Sequence, residues 1–161
     1  MGVEIERKFL VADDSWRDNS GNKGRKIKQG YLSSDPRCTV RVRQISDLAY
    51  ITIKGLPSEE DGLTRPEFEY SIDPSDVPAL LKIFCTGKIL EKTRWIVPHE
   101  GHKWEIDVFE GANEDLVVAE IELNKPDEEF AIPPWLGEEV TDDTRYLNSN
   151  LIRIPYCRFR K

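Results

Sequence analysis

Four times along this chain two acidic residues stand two positions apart with an apolar residue between them: Glu4/Glu6, Glu67/Glu69, Glu105/Asp107 and Glu120/Glu122. Basic residues repeat the pattern at Arg41/Arg43, with Val40 and Val42 alternating, and at Lys92/Arg94; Lys54 follows Thr52 between Ile51 and Ile53. The acidic doublets alternate in the same way with Val3, Ile5 and Phe9, with Phe68 and Tyr70, with Trp104, Ile106 and Val108, and with Ala119, Ile121 and Leu123. A period of two is the mark of β-strands, whose successive side chains point to opposite faces. Same-face neighbours on one strand lie roughly 7 Å apart, so each doublet is a repelling pair. The chain is therefore constrained to a sheet with one apolar and one charged face, and the charged face needs compensation.

Turn signals at Asn19-Ser20-Gly21-Asn22, Ser34-Asp35-Pro36, Gly55-Leu56-Pro57, Asp61-Gly62 and Glu110-Gly111 punctuate the alternation. They predict strands near 2–12, 25–33, 37–46, 48–54, 65–72, 88–97, 102–110 and 115–124. Eight strands are enough to close a barrel and remove its edges. Two helices are expected besides. After Asp73, Val77, Leu80, Leu81 and Phe84 fall at helical spacing; Pro78 restricts the start to about Ser75–Val77, and Gly87 marks the end. Near the C-terminus, Thr141 is expected to cap a helix with Asp142 and Asp143 in its first turn and Leu147, Leu151 and Ile154 on its apolar side. A short turn is marked weakly after Pro126. The fold class expected is α+β but mainly β: a closed eight-stranded antiparallel barrel, with helices outside and a C-terminal helix.

With 161 residues and no linker, repeat or low-complexity tract, residues 1–161 read as a single domain. A net charge of −7 argues against a nucleic-acid-coating protein. No apolar run approaches the roughly 20 residues of a spanning helix, so no membrane partner is expected. The N-terminus carries Glu4 and Glu6 where a signal peptide would be apolar, and Glu6 also spoils a myristoylation motif at Gly2, so the expectation is cytoplasmic. Cys38, Cys85 and Cys157 are an odd count without paired spacing, expected as thiols; with only His99 and His102 beside them, zinc has little support. Trp16, Trp95, Trp104 and Trp135 are expected in the packed shell.

Two arrangements satisfy the charged rows. The apolar faces can meet a core while the charges face water, the common case for surface charge. Alternatively the charges point into a central bore and the apolar faces are covered from outside. Each desolvated charge costs several kcal/mol without a partner, so a bore needs opposite charges across it, a divalent cation for the acids and an anion for the bases. An anion with many charges held by guanidinium forks is most naturally a polyphosphate, and an all-oxygen donor set suits Mg²⁺ or Mn²⁺. Period and sign alone do not choose between the two arrangements.

The order of the motifs adds a resemblance. Glu4-Ile5-Glu6-Arg7-Lys8 opens a series continued by Gln29-Gly30-Tyr31-Leu32, Arg41-Val42-Arg43, Thr52-Ile53-Lys54, Glu67-Phe68-Glu69, Lys92-Thr93-Arg94 and Glu120-Ile121-Glu122-Leu123. The series resembles the CYTH family, the triphosphate tunnel metalloenzymes, over essentially the whole chain. Pro134-Trp135-Leu136-Gly137-Glu138-Glu139-Val140-Thr141, running into Arg145-Tyr146, is similar to its small bacterial branch. The resemblance implies an eight-stranded tunnel and metal-dependent hydrolysis of a small-molecule triphosphate, most naturally inorganic tripolyphosphate to pyrophosphate and phosphate. It leaves open a class IV adenylate cyclase, a nucleoside or thiamine triphosphatase and a non-catalytic polyphosphate-binding module. It implies Glu4, Glu6, Glu120 and Glu122 as ligands of Mg²⁺ or Mn²⁺. Lys8, Arg41, Arg43, Lys54, Lys92, Arg94 and Arg145 are then expected on the triphosphate, Glu67, Glu69, Glu105 and Asp107 as candidates to activate water, and Tyr31 beside Lys8. The C-terminal helix is placed equally well as a plug or outside the barrel, and a homodimer through an outer face is marked by no particular residue.

Overall fold

The alternating segments fold as strands whose ends fall close to the turn signals. The computed structural model describes residues 2–21, 23–85 and 88–160. Its strands are β1 (Gly2–Val11), β2 (Arg25–Asp35), β3 (Cys38–Ile45), β4 (Leu48–Lys54), β5 (Thr64–Ile72), β6 (Leu90–His99), β7 (His102–Phe109), β8 (Val117–Glu122) and β9 (Leu136–Glu139). All neighbours are antiparallel in the order β5-β4-β3-β2-β6-β7-β8-β1, and pairing of β1 with β5 closes these eight into a barrel. The short β9 adds to the far half of β1 and is absent from the sequence reading, because four residues are too few for alternation to register.

Helix α1 (Val77–Phe84) follows a 3₁₀ turn, Pro74–Asp76, in which the Asp73 carboxylate accepts from the Ser75 N–H. Gly87, the expected end, and Asn22, in the first turn signal, lie outside the described residues. Val77, Leu81 and Cys85 pack on the outer face of the barrel against Val42 and Ala49. The close approach depends on Gly30 of β2: a Cβ there would stand 2.8 Å from Cys85 Sγ and 2.9 Å from Leu81 Cδ2. Over β1 and β6–β8 the outer face is covered by connecting segments. Trp16, Trp104 and Trp135 are buried there, and Trp104 meets Phe9, Phe130 and Trp135 edge-on at 5.6–5.7 Å between ring centres.

The C-terminal segment differs from expectation. Thr141 caps no helix; its Oγ1 accepts from the Lys8 backbone N–H at 3.0 Å, extending the β1–β9 pairing. The cap is Asp143, whose carboxylate accepts from the Arg145 N–H at the start of a 3₁₀ turn, Thr144–Tyr146, and helix α2 (Asn148–Arg153) follows. Tyr146 and Leu151 pack with Leu90, Phe109 and Val118, which continue the inward-facing rows of Lys92, Asp107 and Glu120. One end of the barrel is thus apolar inside and stoppered by the C-terminal segment. After Pro126 the chain makes only a turn, with the Glu128 N–H on the Lys125 carbonyl. No described helix is long and apolar enough to cross a membrane.

Candidate active site

Strand pairing puts the charged rows inside. Glu4, Glu6, Lys8, Arg41, Arg43, Lys54, Glu67, Glu69, Arg94, Glu105, Glu120, Glu122 and Tyr31 all line a cavity of about 740 Å³ within the barrel. The strand register explains the convergence: Lys8 stands opposite Glu120 and Glu6 opposite Glu122, while Arg43 and Arg41 stand beside Gln29 and Tyr31. The first and eighth strands, distant in sequence, are hydrogen-bonded neighbours in the sheet, and the pairing of β1 with β5 closes the barrel beside them.

Opposite charges pair across and along the walls. Lys8 Nζ lies 3.1 Å from Glu120 and 3.9 Å from Glu6, and it also donates to the Tyr146 carbonyl at 3.4 Å. Lys54 Nζ donates to Glu4 Oε1 at 2.7 Å and lies 3.1 Å from Glu67. Arg43 donates to Glu69 at 3.0 Å, and the buried Thr52 hydroxyl links Arg41 (3.2 Å) to Glu69 (2.8 Å). The Thr52 contribution was legible only as an inward position two residues before Lys54.

These neighbours set the titration of each group. Burial raises the Glu6 carboxyl, Glu120 and Glu4 add to it, and against the opposing pull of Lys8 and Lys54 the group reaches about 7. About 30% of that side chain faces the tunnel space, but charged walls surround it. Burial also acts to raise Glu120, yet Lys8, Arg94 and Lys92 outweigh it and hold the carboxyl well below the usual range. Glu105 and Glu122 are both raised, chiefly by burial. Burial works against the Lys54 ammonium, but Glu4 and Glu6 raise it above its ordinary value.

Three of the residues expected at the site are elsewhere. Lys92 and Asp107, 1% and 0% exposed, lie behind the wall as a direct ion pair, and Lys92 Nζ sits 5.3 Å from the centre of the Phe109 ring. They are on the inward row but beyond the open cavity, where the interior turns apolar; burial pushes Lys92 down to about 8. Arg145 points outward, its guanidinium held by Asp143 and set against the Tyr146 and Phe159 rings. Its place on the cavity is taken by Asn148, Asn150 and Arg153 of α2, which no strand motif marks.

The bore carries its bases chiefly on β3, β4 and β6 and its acids chiefly on β1, β5, β7 and β8, with the E-x-E-x-K strand beside the acidic eighth strand, and the chain that builds it matches one family model. The CYTH domain model covers residues 2–152. The chain belongs to the CYTH family. Among its relatives, the inorganic triphosphatase of Acetivibrio thermocellus is 43% identical over 161 residues, all of both chains. The inorganic triphosphatase of Nitrosomonas europaea is 38% identical, covering 95% of this chain and 99% of that one. A crystal structure of the inorganic triphosphatase NE1496 superposes with a TM-score of 0.65 at 35% identity, covering 94% of this chain and 95% of that chain.

CYTH membership implies a divalent metal, and the donors present fit one. Glu6 and Glu122 are directly opposed carboxylates, an arrangement that destabilises the sheet unless a cation lies between them. Glu4 and Glu120 flank them on the same two strands, and every donor is an oxygen, which suits a hard cation. Among the described residues no three acidic, histidine or cysteine side chains already close around one point. Lys8 and Lys54 stand between the carboxylates.

Proposed function

We propose that this CYTH protein hydrolyses inorganic tripolyphosphate to pyrophosphate and phosphate in the tunnel, with Mg²⁺ or Mn²⁺ held by Glu4, Glu6, Glu120 and Glu122. The observation that carries the reading is the division of one cavity into a basic wall and an acidic wall, Arg41, Arg43 and Lys54 on one side and Glu6, Glu120 and Glu122 on the other. Full-length identity of 43% to an inorganic triphosphatase supports the choice of substrate.

Arg41 and Arg43 offer two guanidiniums side by side on one strand, a fork matched to phosphoryl oxygens. Both have a buried Nε without a hydrogen-bond partner among the described residues, so neither guanidinium is fully committed within the wall. Lys54 and Lys8 extend the cationic surface toward the acids, and Tyr31 lines the same cavity. These groups neutralise charge on the transferring phosphoryl and the leaving pyrophosphate, the main requirement of phosphoryl transfer. A bound divalent cation would add Lewis-acid polarisation of the phosphoryl oxygens. In the reaction, a water oxygen forms a bond to the terminal phosphorus, the bridging P–O bond breaks toward pyrophosphate, and the water proton passes to a carboxylate. We assign Glu67, Glu69 and Glu105, which line the cavity, as the candidates to accept it.

The deciding assay measures phosphate, pyrophosphate and cyclic AMP from tripolyphosphate and from ATP, with and without Mg²⁺ or Mn²⁺. The expected result is metal-dependent phosphate release from tripolyphosphate, lost in the Glu4→Gln/Glu6→Gln variant. Cyclic AMP and pyrophosphate from ATP would move the reading to a cyclase, and tight binding without turnover to a polyphosphate-binding module.

A further inference from the structure

The cavity meets solvent beside the C-terminal stopper. Strands β1, β2 and β4 all run toward that end, because β2 and β4 each pair antiparallel with β3, and β5 lies antiparallel between β4 and β1. The β2–β3 turn, the β4–β5 connection and the C-terminal segment therefore gather there. Pro36 of the turn, Leu56 and Gly62 of the connection and Arg153 of α2 line the cavity and are themselves exposed, so they form its rim.

Two arginines stand on this rim. Arg65 is half-buried at the start of β5, on the cavity-facing row that Glu67 and Glu69 continue. Its Nε donates to the Gly55 carbonyl at 3.0 Å, which ties the guanidinium across the β4–β5 connection. Glu4, its cross-strand neighbour on β1, is engaged by Lys54 instead. Arg153 ends α2, and its side chain makes no hydrogen bond or ion pair among the described residues. Deeper in the bore, Lys8, Arg43, Lys54 and Arg94 each have a carboxylate within 3.1 Å; among the described residues neither rim arginine has one within ion-pair distance. Asp142, on the segment before α2, is an acid on the same rim. The field of a paired charge is largely cancelled a short distance away, whereas an unpaired charge at an opening projects into solvent.

That projected field matters because the chain as a whole carries a net charge of −7 and repels a polyanion at long range. We propose that Arg65 and Arg153 form a capture site for the polyanionic substrate at this rim, speeding its entry without taking part in bond cleavage. The inner cations then receive the phosphates, and the rim arginines set how strongly entry depends on salt. Steering of this kind raises association rates by about 10- to 1,000-fold. It fades as the Debye length shrinks from about 30 Å at 0.01 M salt to about 8 Å at 0.15 M. The inference rests on reading the tunnel as a triphosphate site.

The test compares the wild type with Arg65→Gln/Arg153→Gln and Arg65→Lys/Arg153→Lys. It measures kcat and KM for tripolyphosphate with Mn²⁺ at ionic strengths from about 0.01 to about 0.5 M, beside calorimetric titration of tripolyphosphate into the metal-free proteins. At the lowest salt the glutamine variant is expected to show kcat/KM about tenfold below wild type, with kcat within about twofold. The gap should close to about twofold at the highest salt. The lysine variant keeps both charges and should stay within about threefold of wild type throughout, since a field needs charge and not a guanidinium fork. A tenfold fall in kcat, or a loss that persists at high salt and is not rescued by lysine, overturns the proposal by making these arginines direct ligands of the reacting phosphates. Equal kcat/KM in all three proteins removes this inference alone. A wild type that neither binds nor hydrolyses tripolyphosphate removes the proposed function and this inference together. A wild type that binds without turnover removes the hydrolase reading alone; salt-screened weakening of that binding in the glutamine variant then upholds the rim, and equal binding overturns it.

Discussion

Glu6 on β1 and Glu122 on β8 face each other directly across the tunnel wall, while their neighbours Lys8 and Glu120, also directly opposed, form an ion pair at 3.1 Å. One cross-strand step therefore separates an opposed pair of unlike charges from an opposed pair of like charges. Glu6 is the member of the like-charged pair that carries the pH response of the ligand-free protein near neutrality.

Burial together with Glu120 and Glu4 raises the Glu6 carboxyl from about 4.5 to about 7, with Lys8 and Lys54 opposing. Between those values the folded chain holds a proton that the unfolded chain has released. Stability of the ligand-free protein should then fall as pH rises through this window, by no more than about 1.4 kcal/mol per pH unit from this group. Glu120 and Asp107, both lowered, act in the opposite sense, but only below the usual carboxylate range. Thermal unfolding between pH 5 and 7 (roughly the span of the shift) in chelator should show the slope. Glu6→Gln should flatten it, and saturating Mn²⁺ should remove it by replacing the proton.

Lys8 is shared by Glu120 and Glu6, and its side chain is only 8% exposed. Lys8→Met leaves those carboxylates without their common cation in a nearly closed site. Breaking a buried pair on one side costs about 3 kcal/mol or more. The expected outcome is a large drop in urea midpoint in the ligand-free protein, with triphosphatase activity near background. An unchanged midpoint would show that Arg94 alone satisfies Glu120.

Thr52 joins the basic wall to the acidic one through its hydroxyl. Thr52→Val keeps the shape and removes both bonds, leaving Glu69 and Arg41 to reorganise. A loss of about 1–2 kcal/mol of stability is expected, and about a tenfold lower kcat/KM if the two groups drift apart by even a fraction of an ångström. Steady-state kinetics beside urea unfolding separates the two effects.

Arg145→Ala tests the placement of that side chain outside the tunnel. Its pair with Asp143 is solvent-exposed, so stability should change by less than about 1 kcal/mol. Activity on tripolyphosphate should stay within about twofold of wild type, since no transition-state contact is lost. A fall in kcat/KM of a hundredfold would return Arg145 to the substrate.

Gly30→Ala examines the seat of α1. The new methyl would press on Cys85 and Leu81 at less than 3 Å, so the helix must shift outward. Overpacking of this kind costs about 1–3 kcal/mol, read as a lower melting temperature with the tunnel chemistry intact.

The sequence by itself determined the strands and which charges share a face. Alternation with period two is a local property, and a slip of one residue would have turned Glu4, Glu6 and Lys8 onto the surface where Ile5 and Phe9 now pack. The expected tunnel residues Arg41, Arg43 and Lys54 share one face for that reason, and closure of the barrel turned that face into the cavity. Position along the bore was decided only by the tertiary structure. Lys92 and Arg94 belong to one motif and one inward row, but Lys92 is sealed behind the wall because Leu90, Phe109, Tyr146 and Leu151 close that end. Likewise Arg145 and Arg153 could not be told apart in sequence, since which of them lines the cavity depends on how the C-terminal segment seats in the barrel mouth. Side-chain parity is written every two residues; depth in a barrel follows from strand stagger and closure, to which distant segments contribute together.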